Sequence, residues 1–475
     1  MYEFIAVMRI YVGFMLKRTI QITNRKEMRD LERASVVLSK VCALLFACCL
    51  FVSQVDAVPL SLADNDISLE GPNNLWVEVY NYTSVLEHID IIRTESGYII
   101  SGLYHNYSSL DPYRGIIIEV STNGSVLFQE YLSGVNYDEI YSIIQCNNGD
   151  FVTVGNTQSF GANETGGTLP RLWLVRLSNN GSILWNKWYD DIYWGYSLAE
   201  CQDGSFIIAT GTPHLVRVDE NGSLLWSKSY QDWDFSEAYS VVECEDGGFA
   251  FAGWADTDPT SEIDSHAWLV RTDSNGTMLW NQTYGEADLN IGSSLIRCSD
   301  GGFAIAGESG SHIYIPAFSW LIRTDETGNL LWERTYSRGR AHSVVQCSDG
   351  GFGIAGFAVE SGSYRAWPAL FVRTDEEGNE LWRSTCSGSD DDYASSLVLS
   401  DDGFAVVGTT LQDSSSKAFL WCLTDDYVSP RFPVEIVLVV SLGTGILVVT
   451  IVIWRQKKRV RHLQELGPVV QATTI

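Results

Sequence analysis

Ser240-Val-Val-Glu-Cys-Glu-Asp-Gly-Gly-Phe249-Ala-Phe-Ala-Gly253 returns twice in near-copy, as Ser294-Leu-Ile-Arg-Cys-Ser-Asp-Gly-Gly-Phe303-Ala-Ile-Ala-Gly307 and as Ser343-Val-Val-Gln-Cys-Ser-Asp-Gly-Gly-Phe352-Gly-Ile-Ala-Gly356. Weaker copies centre on Tyr98, Phe151, Phe206 and Phe404, which makes seven, spaced by 43 to 55 residues. A sustained period of this length marks a supersecondary unit that buries its apolar faces only by stacking on its neighbours. Each copy runs on through an apolar stretch such as Trp268-Leu-Val-Arg-Thr-Asp273, a Gly-containing turn, and a second stretch such as Met278-Leu-Trp280-Asn-Gln-Thr-Tyr284. These runs are short, rich in β-branched and aromatic residues, free of Pro and bounded by Asp, Asn and Gly, so each unit reads as four antiparallel strands. A helical repeat would show 3.6-residue periodicity, and none is present.

Six units carry a complete fourth strand, centred on Phe128, Trp185, Trp226, Trp280, Trp332 and Trp382. The seventh stops early, at Phe419-Leu-Trp-Cys-Leu-Thr424, while the pattern it lacks stands alone upstream as Asn74-Leu-Trp76-Val-Glu-Val-Tyr80. The expectation is an all-β fold: a seven-bladed β-propeller over residues 74–426, closed by the N-terminal strand so that no sheet edge is open at the join.

Gly181 and Trp185, Gly222 and Trp226, Gly276 and Trp280, Gly328 and Trp332, and Gly378 and Trp382 all keep one interval. In this the chain resembles propeller repeats of quinoprotein type, in which such a Gly precedes a Trp that docks on the next blade. The resemblance covers about three quarters of the chain and implies architecture rather than activity. Quinoprotein dehydrogenases hold their cofactor in an eight-bladed ring and use a vicinal disulfide; the only adjacent cysteines here, Cys48 and Cys49, fall in the N-terminal segment. No cofactor is expected.

The two ends read as export signals. Arg33 and Lys40 precede an apolar core from Val41 to Val52, and Val55-Asp56-Ala57 offers small residues for cleavage, so residues 1–57 are read as an N-terminal extension and signal peptide. Ile436 to Trp454 holds no charged side chain and is long enough as a helix to cross a bilayer. Arg455, Lys457, Lys458, Arg459 and Arg461 follow at once and would keep the 455–475 tail cytoplasmic. The expected protein is single-pass, at the cell membrane, with its propeller outside. Between residues 58 and 433 stand 18 Lys and Arg against 52 Asp and Glu, a balance that repels phosphate backbones and argues against nucleic acid as a partner. Asn-x-Ser/Thr triplets begin at Asn81, Asn106, Asn123, Asn163, Asn180, Asn221, Asn275 and Asn281, each a candidate glycan acceptor in an exported chain.

Catalytic constellations are missing from the sequence. There is no His-Glu-x-x-His metal site and no Gly-x-Ser-x-Gly nucleophile turn. Sialidase turns place Trp three positions after Gly, whereas here it stands four positions on. The Asp273-Ser-Asn-Gly276 turns lack the alternating oxygen ligands and terminal Glu of a calcium loop and read as tight hairpins. Cys146, Cys201, Cys244, Cys298 and Cys347 recur at one position and read as buried small hydrophobes, with Cys386 and Cys422 as the pair open to bridging. Arg217 and Asp219, Arg271 and Asp273, Arg323 and Asp325, and Arg373 and Asp375 stand two apart and suggest a repeated ion pair between blades.

The expected activity is therefore recognition of an extracellular glycan, peptide or protein. A structural surface-layer or adhesion role and a polymer hydrolase or lyase are the rivals. The short repeated turns share one side of the ring, and the irregular loops share the other, where binding usually resides. Candidates on that side are Trp194, Asp232, Trp233, Asp234, Trp254, Asp256, Tyr314 and Trp367, since aromatic rings beside carboxylates suit sugar faces or peptide side chains.

Overall fold

The computed structural model describes residues 68–71, 73–80, 85–105, 113–160, 170–230, 236–256, 265–311, 315–359, 367–388, 391–412, 415–425, 436–443 and 446–453. Four-residue-scale turns and period-two strands dominate, and among the described residues every regular element is a strand. Each of the quoted repeats forms the first two strands of an antiparallel four-stranded unit. In the fourth unit these are Ser236–Glu243, Phe249–Asp256, Ser265–Thr272 and Met278–Tyr284, paired in chain order. The units before it begin at Val85–Arg93, Asp138–Gln145 and Gly195–Glu200, and those after it at Leu289–Arg297, at Gly339 within the long strand Leu330–Gln346, and at Asp392–Leu399. That long strand ends the fifth unit and opens the sixth without a break. The repeat is a β-propeller fold.

The expected missing strand is found in place. Asn74–Tyr80 pairs antiparallel with Ser415–Thr424 along its whole length, and Trp421 donates its indole N–H to Asn74 Oδ1 at 2.9 Å. One element was not expected. Ser68–Glu70 adds a fifth strand to the sixth unit, pairing with Glu380–Ser387, so the N-terminal chain passes from the outer edge of one unit to that of the next. No repeat pattern marks these three residues, and pairing with an open edge needs only backbone.

Both faces of each sheet are buried, and the alternation within Phe249-Ala-Phe-Ala decides how. Phe249 and Phe251 pack toward the preceding unit, in one core with Ile207 and Leu215, whereas Ala250 and Ala252 pack toward the following unit, in one core with Phe303 and Ile305. A large face thus enters a small face at each junction, which fills the space between sheets at interior density. The last such core joins Val407 and Leu420 of the seventh unit to Ile91, Ile100 and Ile118 of the first.

The fourth strand fastens each junction from outside. The Trp226 ring lies against Gly276 of the next unit, and the Tyr230 hydroxyl donates to the Gly276 carbonyl at 2.7 Å. The same pair of contacts joins Tyr80 and Trp76 to Gly124, Tyr189 and Trp185 to Gly222, Tyr284 and Trp280 to Gly328, and Tyr336 and Trp332 to Gly378. The Trp docking implied by the quinoprotein resemblance is therefore present, with a tyrosine that the resemblance did not supply. Phe128 and Leu132 replace Trp and Tyr after the first unit, as Cys386 replaces Tyr after the sixth.

The expected ion pair between blades is corrected. Arg217, Arg271, Arg323 and Arg373 bind Asp203, Asp246, Asp300 and Asp349, the acids of the first hairpin turn in the same unit, and among the described residues only Arg373 of these four also pairs between units, with Asp425 at 2.9 Å. Asp273 instead caps its own turn, accepting from the backbone N–H of Asn275 and Thr277 at 2.9 and 2.7 Å. Each Asp stands just past the end of its strand, in the turn. The short Asp side chain reaches its own turn amides first and leaves the longer Arg to the neighbouring turn.

All seven described cysteines are buried and unbridged, Cys386 and Cys422 included. Burial pushes the thiols of Cys201, Cys244 and Cys298 up to about 11, and those of Cys146, Cys347 and Cys422 up to about 12. Thiolate is thus scarce at neutral pH. A thiol reagent is expected to label these positions only after denaturation, as read by mass spectrometry. Rapid labelling of the native chain would mean that the junctions open.

Residues 436–453 depart from the expected helix. Ile436–Gly443 and Ile446–Ile453 are paired antiparallel strands, in register from Ile436 with Ile453 to Gly443 with Ile446. Val and Ile dominate both, and β-branched side chains favour extended backbone when packing does not decide. Among the described residues no helix is long and apolar enough to cross a membrane. The expected signal segment, residues 1–57, and the basic tail, residues 455–475, lie outside the described residues.

Candidate functional site at the inner strands

The first strand of each unit is the innermost, for these strands approach one another from unit to unit, the seventh meeting the first. Each is interrupted by a bulge against its second strand, just before Asp90, Ser142, Ser197, Ser240, Ser294, Ser343 and Ser396. A bulge breaks the period-two alternation and re-aims the side chains beside it. Its first consequence is a polar belt. Ser197, Ser240 and Ser343 accept the backbone N–H of Val241, Leu295 and Leu397 in the following units. Asp90 does more, accepting from Ile143 N at 3.0 Å in the second unit and from Ser396 Oγ at 2.7 Å in the seventh. Burial pushes its carboxyl up, against the hydrogen bonds that pull it down.

The second consequence is an aromatic row. The bulged residues Tyr141, Tyr196 and Tyr239 stand edge to face, with centroids 5.0 and 5.3 Å apart. Toward the start of the same strands lie Glu139 and Glu237. Glu139 is nearly sealed from solvent and accepts from Tyr137 Oη at 2.6 Å and Asn156 Nδ2 at 2.8 Å. Glu237 accepts from Tyr239 Oη and, at 3.3 Å, from the Trp254 indole N–H. Burial, and then these glutamates, push the three tyrosine hydroxyls up, so all three stay protonated at neutral pH. Further round, Arg340 pairs at 2.7 Å with Glu308, whose carboxyl is pushed up by burial. His342 Nδ1 donates to the Ala394 carbonyl, 2.9 Å away, and burial holds the imidazole below its usual range.

Two of the sequence candidates, Trp254 and Trp194, belong here. Trp254 touches Glu237 and Tyr239. Trp194 adopts a left-handed φ of 51°, is 38 % exposed and flanks Gly211 together with Tyr196. Trp367 joins a separate group, stacked on Phe357 at 5.2 Å and near Tyr393. Asp256 is half-buried at the end of its strand, opposite Ser265. Asp232, Trp233, Asp234 and Tyr314 lie outside the described residues. Tyr141, Tyr196, Tyr239, Glu139 and Glu237 were missed, although a signal exists: Tyr-Ser precedes the core repeat at one offset in three successive units. Of the sequons, Asn123, Asn180, Asn221 and Asn275 are exposed, and Asn281 is half-buried; Asn81, Asn106 and Asn163 lie outside the described residues. Among the described residues no three His, Cys, Asp or Glu side chains converge as a metal site.

No family model matches the chain, and no curated protein matches it. Solved structures similar to it include BamB from Moraxella catarrhalis, at 14 % identity and a TM-score of 0.40, covering 72 % of this chain and 99 % of that one. The WD40 β-propeller domain of Doa1 is similar at 13 % identity and a TM-score of 0.45, covering 73 % of this chain and 96 % of that domain. A protein of unknown function from Dyadobacter fermentans is similar at 11 % identity and a TM-score of 0.40, covering 68 % of this chain and 99 % of its own. The strand pairing, not these likenesses, carries the fold.

Proposed function

We propose that this chain is a closed seven-bladed propeller of quinoprotein type that works, without catalysis, as a recognition module at the cell surface. Its binding site is the end of the inner strands bearing Tyr141, Tyr196 and Tyr239, and its partner is a peptide or protein segment offering a cationic side chain. The single observation behind this is the tyrosine row itself, held rigid by strands and flanked by Glu139 and Glu237. Aromatic faces and carboxylates attract cations together, and rigid Tyr and Trp side chains lose little entropy on binding. In this reading residues 436–454 anchor the chain at the bilayer, since a run without charged side chains is at home in lipid. The charge-free run and the five cations that follow support that placement.

The test uses the full chain in lipid nanodiscs against a peptide array graded by charge. Lys- and Arg-bearing peptides are expected to bind, and Tyr196→Ala with Glu237→Gln to weaken them by about tenfold or more, a modest hot-spot effect. Thermal unfolding run in parallel keeps loss of fold separate. Equal binding by the double variant, or preference for acidic peptides, would move the site elsewhere.

A further inference from the structure

Four of the eight sequons occupy one structural position. Asn123, Asn180, Asn221 and Asn275 each stand just before the turn glycine that joins third and fourth strands, in the first four units. All four are exposed, and none uses its side-chain amide nitrogen as a donor among the described residues. In the first two units the turn engages only the amide oxygen: Ser121 Oγ donates to Asn123 Oδ1 and Ser178 Oγ to Asn180 Oδ1, each at 2.5 Å. In the next two, Asp219 and Asp273 take over that capping role. The nitrogen therefore faces water each time. Asn281 differs, being half-buried within Met278–Tyr284 with its Nδ2 against Met278 Sδ at 3.5 Å.

An apolar side chain lies four residues beyond each turn asparagine. Leu127, Leu184, Leu225 and Leu279 are 53 %, 52 %, 52 % and 57 % exposed, on fourth strands that have no further partner among the described residues. They recur from unit to unit as an apolar row along the rim, which Leu331, 54 % exposed, continues into the fifth unit. The fifth and sixth units read Thr327-Gly-Asn329 and Glu377-Gly-Asn379 at the same turns and carry no acceptor.

We propose that Asn123, Asn180, Asn221 and Asn275 carry N-linked glycans, that Asn281 does not, and that these glycans shield the apolar rim of the first four units only. The step needs a saccharide carried on a lipid phosphate. The asparagine nitrogen attacks the anomeric carbon, a C–N bond forms as the C–O bond to phosphate breaks, and the lipid phosphate leaves with the bonding pair while the amide proton passes to base. The inference rests on the proposed export of residues 58–433 and goes beyond it in naming which acceptors are used.

Peptide mapping by mass spectrometry of the full chain, made in a secretory host that glycosylates, tests it. Saccharide mass is expected on all four turn asparagines and not on Asn281. Modification at Asn81, Asn106 or Asn163 with the four turns bare would overturn the inference and leave export standing; no modification anywhere would overturn both. The chain with Asn→Gln at all four turns is expected to self-associate at an about tenfold lower concentration, a modest shift for exposing several leucines. Adding Leu127→Ser, Leu184→Ser, Leu225→Ser and Leu279→Ser should reverse that. A quadruple Asn→Gln chain as monodisperse as the glycosylated one would refute the shielding.

Discussion

Deleting residues 73–80 is expected to lower the guanidinium midpoint of unfolding more than any other short deletion in the repeat domain. The strand Asn74–Tyr80 buries Val79 and Tyr80, lays Trp76 on Gly124, and gives the Tyr80 hydroxyl to the Gly124 carbonyl at 2.9 Å. Losing two fully buried side chains and one half-buried Trp costs on the order of 5 kcal/mol, at about 1.5–3 kcal/mol each. That is a large part of the roughly 5–15 kcal/mol by which domains are stable. The deletion also exposes the edge of Ser415–Thr424 and cuts the fastening between the seventh and first units, so association through the bared edge should accompany it. Deleting the three-residue strand Ser68–Glu70, which is largely exposed, serves as the control and should shift the midpoint little. Equal effects of the two deletions would refute the special place given to residues 74–80.

Replacing Gly276 by Val tests the fastening from its other side. Gly276 has a φ of +73°, and a Cβ there would lie 2.8 Å from the Trp226 ring of the preceding unit. A β-branched residue at positive φ is strained by about 1–3 kcal/mol. Forcing the indole out of place adds about 1–3 kcal/mol of overpacking. The sum, near 4 kcal/mol, should appear as a lower denaturation midpoint with binding unchanged. Gly247 has nearly the same φ, +77°, but its nearest neighbour is Ser274 Cβ at 4.0 Å. Gly247→Ala then reports strain alone, about 1 kcal/mol. If Gly276→Val and Gly247→Ala cost the same, the Trp226 contact contributes nothing to stability.

Much of this architecture was legible because its causes are local. Phe-Ala alternation reads as a large and a small face, Asp-Gly-Gly and Asp-x-Asn-Gly read as turns, and the orphan Leu-Trp-x-x-x-Tyr at residues 75–80 matched a strand missing some 340 residues later, a distance that pattern matching ignores. The candidate site was less legible. Trp254 was singled out for its loop position, yet it lies on a strand and donates to Glu237 and Tyr239, beside a bulge that only the Tyr-Ser pair marks in the sequence.

By itself, then, the sequence determined the repeating unit, its strands and turns, the alternation of its faces and the placing of residues 74–80 in its last unit. Those rules act within a dozen residues and repeat. Tertiary structure alone decided what meets across units. It let Asp90 bind the second and seventh units at once, turned Tyr141, Tyr196 and Tyr239 into one row, gave each Arg to the acid of its own hairpin, and seated Ser68–Glu70 on the sixth unit. These contacts reach across a hairpin or between units, where register and side-chain reach, rather than local preference, set the partner.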